Sequence, residues 1–254
     1  MVKSVRAIYF DLDDTLCGYW NASKVGLKNA FAMHGPEECS PEEWVRHWAA
    51  AFREYAPQLK HTNWYQGYLK SAEPSRTEQM RLTLARLGIE DPERAKRLSQ
   101  AYMEERDGAL KLFEDAVTVL DALAVKYPLG LITNGPADVQ RQEIATLGIG
   151  HYFQNVFIEG EMGEGKPVRA VFERAEQAVN CQPDELLMVG NSYSHDIRPA
   201  LDYGWHAVWI RRDSDVPPSV DGKDAAPEKL PAEAPEPDMT ISELSELLPL
   251  LLSS

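Results

Sequence analysis

The sequence predicts an α/β protein: a doubly wound parallel sheet with a helical cap inserted after the first strand. Three observations carry this. From residue 115 to residue 210, short apolar runs alternate with amphipathic helical runs, the pattern of parallel strands joined by crossover helices. A lone β-prone run, Arg6–Phe10, stands near the N-terminus and leads into Asp11. Between them, from Cys17 to Leu110, the pattern is mostly helical.

Each element has its own signal. Ile8, Tyr9 and Phe10 make the first strand. Ser40-Pro41-Glu42-Glu43 reads as a helix start, with Ser at the N-cap, Pro at the first helical position and Glu in the capping-box position. Trp44, Trp48, Phe52 and Tyr55 then recur at helical spacing, a stripe that suits cap core first and a substrate-stacking surface second. Trp20, Trp64, Tyr65 and Tyr68 lack a clean period, and one of them is expected to line the cleft. Two further cap helices are read over Pro74–Leu87, stopping at Gly88, and Pro92–Arg106. The core continues with helix Asp115–Lys126, strand Leu129–Thr133, helix Ala137–Leu147, strand Asn155–Ile158 and helix Val168–Val179. Strand Leu186–Val189, a short helix after Asp196 and strand Ala207–Ile210 complete it, and Thr240–Leu252 reads as a terminal helix. The expected core is thus residues 1–16 and 110–254, and the expected cap residues 17–109.

Composition narrows the function classes. With 44% hydrophobic and 26% charged residues in 254, the chain can bury a sizeable core and is neither disordered, collagen-like nor a disulfide scaffold. No apolar run approaches the roughly 18–20 residues that span a bilayer, and Met1–Phe10 is too short for a secretory signal. Cys17, Cys39 and Cys181 are widely spaced and odd in number, which points away from disulfides and zinc and towards a reducing cytoplasm. The net charge of −14 offers no basic footprint for a nucleic acid polymer. Part of that excess is local: residues 213–238 hold eight acids, two lysines and six prolines, and read as a solvated acidic loop.

In open α/β sheets, ligands bind beyond the carboxyl ends of the strands. Those ends carry Asp11-Leu12-Asp13-Asp14-Thr15, Thr133-Asn134-Gly135, Lys166-Pro167 and Gly190–Asp196. An aspartate attacking a negatively charged phosphate needs a cation between them. Hard oxygens such as those of Asp11 and Asp196 suit magnesium. Lys166 and the Thr133 hydroxyl could hold phosphoryl oxygens, and Asp13 lies close enough to protonate a leaving alkoxide. Each segment also has a plainer reading: Asp11, Asp13, Thr15 and Asp196 as helix caps, Thr133–Gly135 as a turn, Lys166 as a surface lysine, Cys17 as packing. His195 is read as a polar loop residue, or as an aid to the metal shell.

Four segments in this order, DLDDTL at Asp11–Leu16, ITNG at Ile132–Gly135, Lys166-Pro167 and GNSYSHD at Gly190–Asp196, resemble the motifs of the haloacid dehalogenase-like hydrolase superfamily. The resemblance covers the core, and the helical insertion sits where that family carries a cap of its first type. It implies Asp11 as nucleophile, Asp13 as general acid/base, and Thr133, Asn134 and Lys166 as phosphate ligands. It also implies Mg2+ on Asp11, the Asp13 backbone carbonyl and Asp196. Within the superfamily the chain looks most similar to nucleotide 5′-phosphatases and N-acylneuraminate phosphatases. One position departs from the pattern: Asn191 stands where the family commonly has aspartate after the glycine. If that place orients a metal-bound water, Asn191 could still serve; if it is a direct ligand, metal affinity should fall.

The expected function is magnesium-dependent hydrolysis of a small phosphorylated metabolite through an aspartyl-phosphate, with no membrane partner. One alternative is a 2-haloacid dehalogenase using the same aspartate, which would leave Asp13 and Asp196 without work. The other is a catalytically weak binding module that keeps the fold, supported by Asn191 alone.

Overall fold

The computed structural model describes residues 5–220 and 228–252. Its sheet grows outward from β1 (Ala7–Phe10), whose four side chains are all sealed from solvent. Ile8 and Phe10 enter one apolar cluster and Ala7 and Tyr9 the other, so β1 is apolar on both faces and needs helices on both. β2 (Leu129–Thr133) pairs along one side, Ile8 facing Leu129, and β4 (Leu186–Gly190) along the other, Phe10 facing Val189. β3 (Phe153–Ile158), β5 (His206–Ile210) and β6 (Met239–Ile241) extend the sheet to the order β3-β2-β1-β4-β5-β6, every pair parallel. This is the predicted doubly wound α/β class. On the Ile8 face lie α6 (Ala116–Ala124), Ile144 of α7 (Ala137–Leu147) and the terminal α11 (Leu247–Leu252). On the Tyr9 face lie α9 (Arg169–Val179) and α10 (Arg198–Asp202).

Between β1 and β2 run α1 (Tyr19–His34), α2 (Pro41–Leu59), α3 (Tyr65–Lys70), α4 (Glu73–Ala85) and α5 (Pro92–Ala109). They share an apolar cluster of their own around Leu27, Trp44, Met80, Leu84 and Leu98. α2 starts as predicted: Glu43 N donates to Ser40 Oγ at 3.2 Å and Ser40 N to Glu43 Oε2 at 2.8 Å. α1 had no individual sequence signal, because its buried face is built mostly of small residues, Ala22, Ser23, Gly26 and Ala30, with Leu27. That face lets α5 come close: a side chain at Gly26 would press on the Tyr102 carbonyl and the Arg106 backbone.

Two expectations need correction. Thr240–Leu252 is not one helix: Met239–Ile241 forms the edge strand β6, and α11 begins only at Leu247. Thr240 and Ile241 are β-branched, and the free edge of β5 offers them a ladder, with Arg211 N donating to Ile241 O at 2.8 Å. Nor is the acidic segment wholly solvated. Asp215, Glu228 and Asp238 accept from Asn191 Nδ2 at 2.8 Å, Tyr193 N at 2.9 Å and Ala207 N at 2.8 Å. Asp221, Lys223 and Asp224 of that segment lie outside the described residues. Among the described residues, no helix is long and apolar enough to cross a membrane, and Cys17, Cys39 and Cys181 are unpaired.

Candidate active site

Chain connections leave β1 and β4 towards opposite ends of the sheet, which opens a crevice beyond their carboxyl ends. Asp11 stands at that point, its backbone N–H bound to Val189 O at 2.9 Å. Lys166 reaches the same point, its ammonium 2.7 Å from Asp11 Oδ1 and 2.6 Å from Asp196 Oδ1. All three are buried, at 7% exposure for Asp11, 2% for Lys166 and 1% for Asp196, so Lys166 is not the surface lysine of the plainer reading. Burial pulls the lysine pKa down, but the two carboxylates outweigh it and the ammonium stays charged with a raised pKa. Burial pushes the Asp11 carboxyl up, Lys166 pulls it down, and the like charge of Asp196 adds to the upward shift.

Local backbone makes this convergence possible. A single π turn, Tyr193–Ile197, folds Asp196 back so that its Oδ2 accepts from Ser192 N at 2.9 Å. Any side chain at Gly190 would collide with that carboxylate, so the glycine is required by close approach. The Asn134 amide clasps the Lys166 backbone in both directions, accepting from its N–H at 2.7 Å and donating to its carbonyl at 2.8 Å. Asn134, expected at the phosphate, therefore spends its side chain on holding the lysine.

Asp13 opens on the same crevice and heads a buried network. Gln140 Nε2 donates to Asp13 Oδ2 at 3.0 Å and to Glu143 Oε2 at 2.9 Å, and Glu143 pairs with Arg106 at 3.0 Å. Burial pushes Asp13 up to about 6, the Asp11 charge adds to it, and Gln140 and Arg106 oppose. The Thr133 hydroxyl is buried and donates to Gln140 Oε1 at 2.6 Å. Thr15 Oγ1 donates to Asp11 Oδ2 at 3.0 Å. Asn191 lies at the rim, its oxygen 3.4 Å from Thr15 Oγ1 and its amide on Asp215, a carboxylate that burial pushes up to about 6. Sequence reasoning missed Gln140, Glu143, Arg106 and Asp215; the first three sit inside helices, where such residues are ordinarily solvated.

The crevice is a cleft of about 500 Å3 bounded by Asp11, Asp13, Lys166, Asp196 and residues of the helical insertion. Trp20, Tyr65 and Tyr68 line it, whereas Trp64 is half exposed. His195 lines it too, its Nδ1 3.0 Å from Ser194 Oγ, with burial first and the Lys166 charge next lowering its pKa. Of the α2 stripe, Trp44 is pure core, Trp48 and Phe52 pack in that core and also line an inner cavity, and Tyr55 lines the cavity.

A helical insertion after β1, an aspartate just beyond that strand and the convergence of Lys166 and Asp196 on it in one crevice fit a hydrolase of the doubly wound α/β type. Residues 8–210 match the haloacid dehalogenase-like hydrolase family, and the chain belongs to it. Among proteins it is similar to, the phosphoserine phosphatase of Thermus thermophilus is 38% identical over 48% of this chain and about half, 49%, of that protein. Longer matches are the glyceraldehyde 3-phosphate phosphatase of Methanopyrus kandleri (29% identical, 82% of this chain, 84% of that one) and the human N-acylneuraminate-9-phosphatase (26%, 85% and 86%). Among solved structures, the HAD hydrolase YfnB of Bacillus subtilis shares the fold with a TM-score of 0.74 at 18% identity, covering 98% of this chain and 99% of that one.

Proposed function

We propose that the protein is a magnesium-dependent phosphomonoesterase acting on a small phosphorylated metabolite of the cytoplasm. The observation that carries the reading is the convergence of Asp11, Asp196 and Lys166 within 2.7 Å contacts beside Asp13. The names of the relatives, phosphatases all three, support it.

The donor set fits a hard divalent cation. Asp196 Oδ1 is buried against the Lys166 ammonium, and the Asp11 carboxylate meets the same ammonium, so two hard oxygens converge. Among the described residues, no three acidic, histidine or cysteine side chains form a metal cluster. The proposed set needs only two, Asp11 and Asp196, because its third oxygen is the Asp13 carbonyl. Asn191, held by Asp215, is left outside it. Bound magnesium would offset the repulsion between the Asp11 carboxylate and an anionic phosphate.

Asp11 attacks phosphorus, forming an aspartyl-phosphate and releasing an alkoxide. Asp13, with its raised pKa, donates the proton that the alkoxide takes and then removes one from the water that cleaves the acyl phosphate. Lys166 neutralises phosphoryl oxygens, and Asn134 fixes its backbone. Thr133 steadies Gln140 and, through it, Asp13; its own contact to phosphate requires its hydroxyl to leave Gln140. The cap closes over the cleft and excludes water.

The test is hydrolysis of para-nitrophenyl phosphate with and without magnesium, by wild type and Asp11→Asn. Turnover that needs both the metal and Asp11 is expected. Chloride release from 2-chloropropionate with no phosphate hydrolysed anywhere in a metabolite panel would replace this reading by the dehalogenase one.

A further inference from the structure

Beneath α2, α4 and α5 an inner cavity of about 200 Å3 adjoins the reaction cleft, and Asp13, Tyr19, Phe52 and Tyr68 line both. Because Asp13 lines both spaces, a leaving group that takes its proton from Asp13 in the proposed reaction has this cavity beside it. Its walls are largely aromatic, but its polar lining is unfinished. Trp48 and Gln79 are 4% and 5% exposed, and among the described residues Trp48 Nε1 and Gln79 Oε1 have no hydrogen-bond partner. Arg76 of α4 lines the same cavity with its Nε buried and unpartnered, and among the described residues its guanidinium makes no ion pair.

The other charges around Arg76 are already committed. Arg106 also lines the cavity, but it is held by Asp107 at 2.8 Å and Glu143 at 3.0 Å, and its positive charge repels that of Arg76. Asp138 is taken by Ala72 N at 3.2 Å and Val139 N at 2.8 Å, and Asp13 by Gln140 at 3.0 Å. Glu73, Asp138 and Tyr102 favour the Arg76 charge from a distance without pairing with it. A half-buried guanidinium facing a second cation is unfavourable until an anion comes between protein and solvent to compensate it. Buried polar groups left unpaired beside a reaction cleft are where a ligand's own groups are expected to complete the bonding.

We propose that the substrate carries a second anionic group, remote from the phosphate being cleaved, and that this group seats on Arg76 in the aromatic-walled cavity. Trp48 Nε1 adds a donor, and Gln79 Oε1 accepts from a hydroxyl or amine on the same molecule. The substrate class is a small phosphomonoester of an organic acid, or a bisphosphate, since carboxylate and phosphate share this chemistry. The proposal rests on the phosphomonoesterase reading for its account of the other end of the ligand.

The experiment measures binding by calorimetry to the Asp11→Asn protein with magnesium present, so that turnover does not interfere. Two matched pairs differ only in the second anion: O-phosphoserine against O-phosphoethanolamine, and fructose 1,6-bisphosphate against fructose 6-phosphate. In at least one pair the member that carries the second anionic group should bind at least about tenfold tighter, and the pair that does so identifies carboxylate or phosphate as the seated group. Adding Arg76→Gln should bring that ratio to about one, with Arg76→Lys retaining part of it and circular dichroism reporting the fold of each. Equal binding within both pairs, absence of binding by all four compounds, or a preference that survives Arg76→Gln overturns the proposal. Hydrolysis of para-nitrophenyl phosphate by wild type is scored separately. An Arg76-dependent ratio without any phosphate hydrolysis would remove the phosphomonoesterase reading and leave the anion seat standing.

Discussion

Lys166 shows how much one side chain carries at the residue scale. Its ammonium is the counter-charge of two buried carboxylates, so Lys166→Met leaves Asp11 and Asp196 together without a cation. Removing one partner of a buried ion pair typically costs about 3–5 kcal/mol, and urea denaturation in chelator should show a loss of that order. An unchanged unfolding midpoint would mean that the two carboxylates are not held charged by Lys166. Asn134→Ala tests positioning rather than contact: it frees the Lys166 backbone while leaving the ammonium in place. A fall in kcat of about tenfold with little change in KM for an aryl phosphate is expected; a rise in KM alone would make Asn134 a phosphate ligand instead. The positions of Asp11, Asp13, Thr133 and Asp196 were legible because strand ends are legible and ligands gather there, whereas Lys166, which follows α8 (Glu159–Met162), was picked out by its place in the order of motifs. The partners of those residues were not. Gln140 and Glu143 look like the polar face of α7, and only the fold reveals that this face turns inward to Asp13 and Arg106.

At the scale of elements, legibility follows from whether an element's stability is local. α2 announces itself because its cap is written into four consecutive residues. Ser40→Ala should therefore lower the melting temperature by about 2–4 °C, as loss of an N-cap does in a chain of this size. Glu43 adds a pH signature. The Ser40 backbone N–H holds its carboxyl below the usual 4.5, so its contribution is complete above that value and fades as pH falls through the lower folded one. The difference in melting temperature between wild type and Glu43→Gln should then be full near neutrality and vanish in acid; a difference that is the same at both would assign it to packing. α1 and β6 are the opposite case. α1 depends on the close approach of α5 to Gly26, and β6 on an open edge of β5, neither of which is a property of its own residues. Gly26→Val is accordingly expected to be strongly destabilising, although valine costs an isolated helix little, and thermal melts of Gly26→Ala and Gly26→Val should worsen with side-chain size.

At the scale of the molecule, the helical insertion meets the rest of the chain over the crevice, and one carboxylate organises much of that meeting. Glu159 opens α8 (Glu159–Met162) and is 3% exposed. Its Oε2 accepts from Gly135 N at 2.9 Å, in the loop after β2, while its Oε1 takes the Tyr65 hydroxyl at 2.5 Å and lies 3.3 Å from Lys60 Nζ. Tyr65 and Lys60 belong to the insertion, so Glu159 ties the loop that presents Thr133 and Asn134 to the helices above it. Lifting the insertion would leave Glu159 its bond from Gly135 N and exchange the Tyr65 and Lys60 contacts for water. Tyr65→Phe removes a hydrogen bond to a charged carboxylate and keeps the ring, and it should shift the balance towards the open arrangement by about 1.5–3 kcal/mol. Amide exchange over residues 60–70 should quicken by about tenfold or more, and KM for an aryl phosphate should rise in the same direction, because the competent closed state is less populated. Glu159→Gln, which retains a bond to Tyr65 but gives up the charge facing Lys60, should produce the smaller effect of the two in high salt and the larger in low salt. Exchange in residues 60–70 that stays at the wild-type rate in both variants would show that packing alone seats the cap and that the polar contacts at Glu159 follow closure rather than hold it.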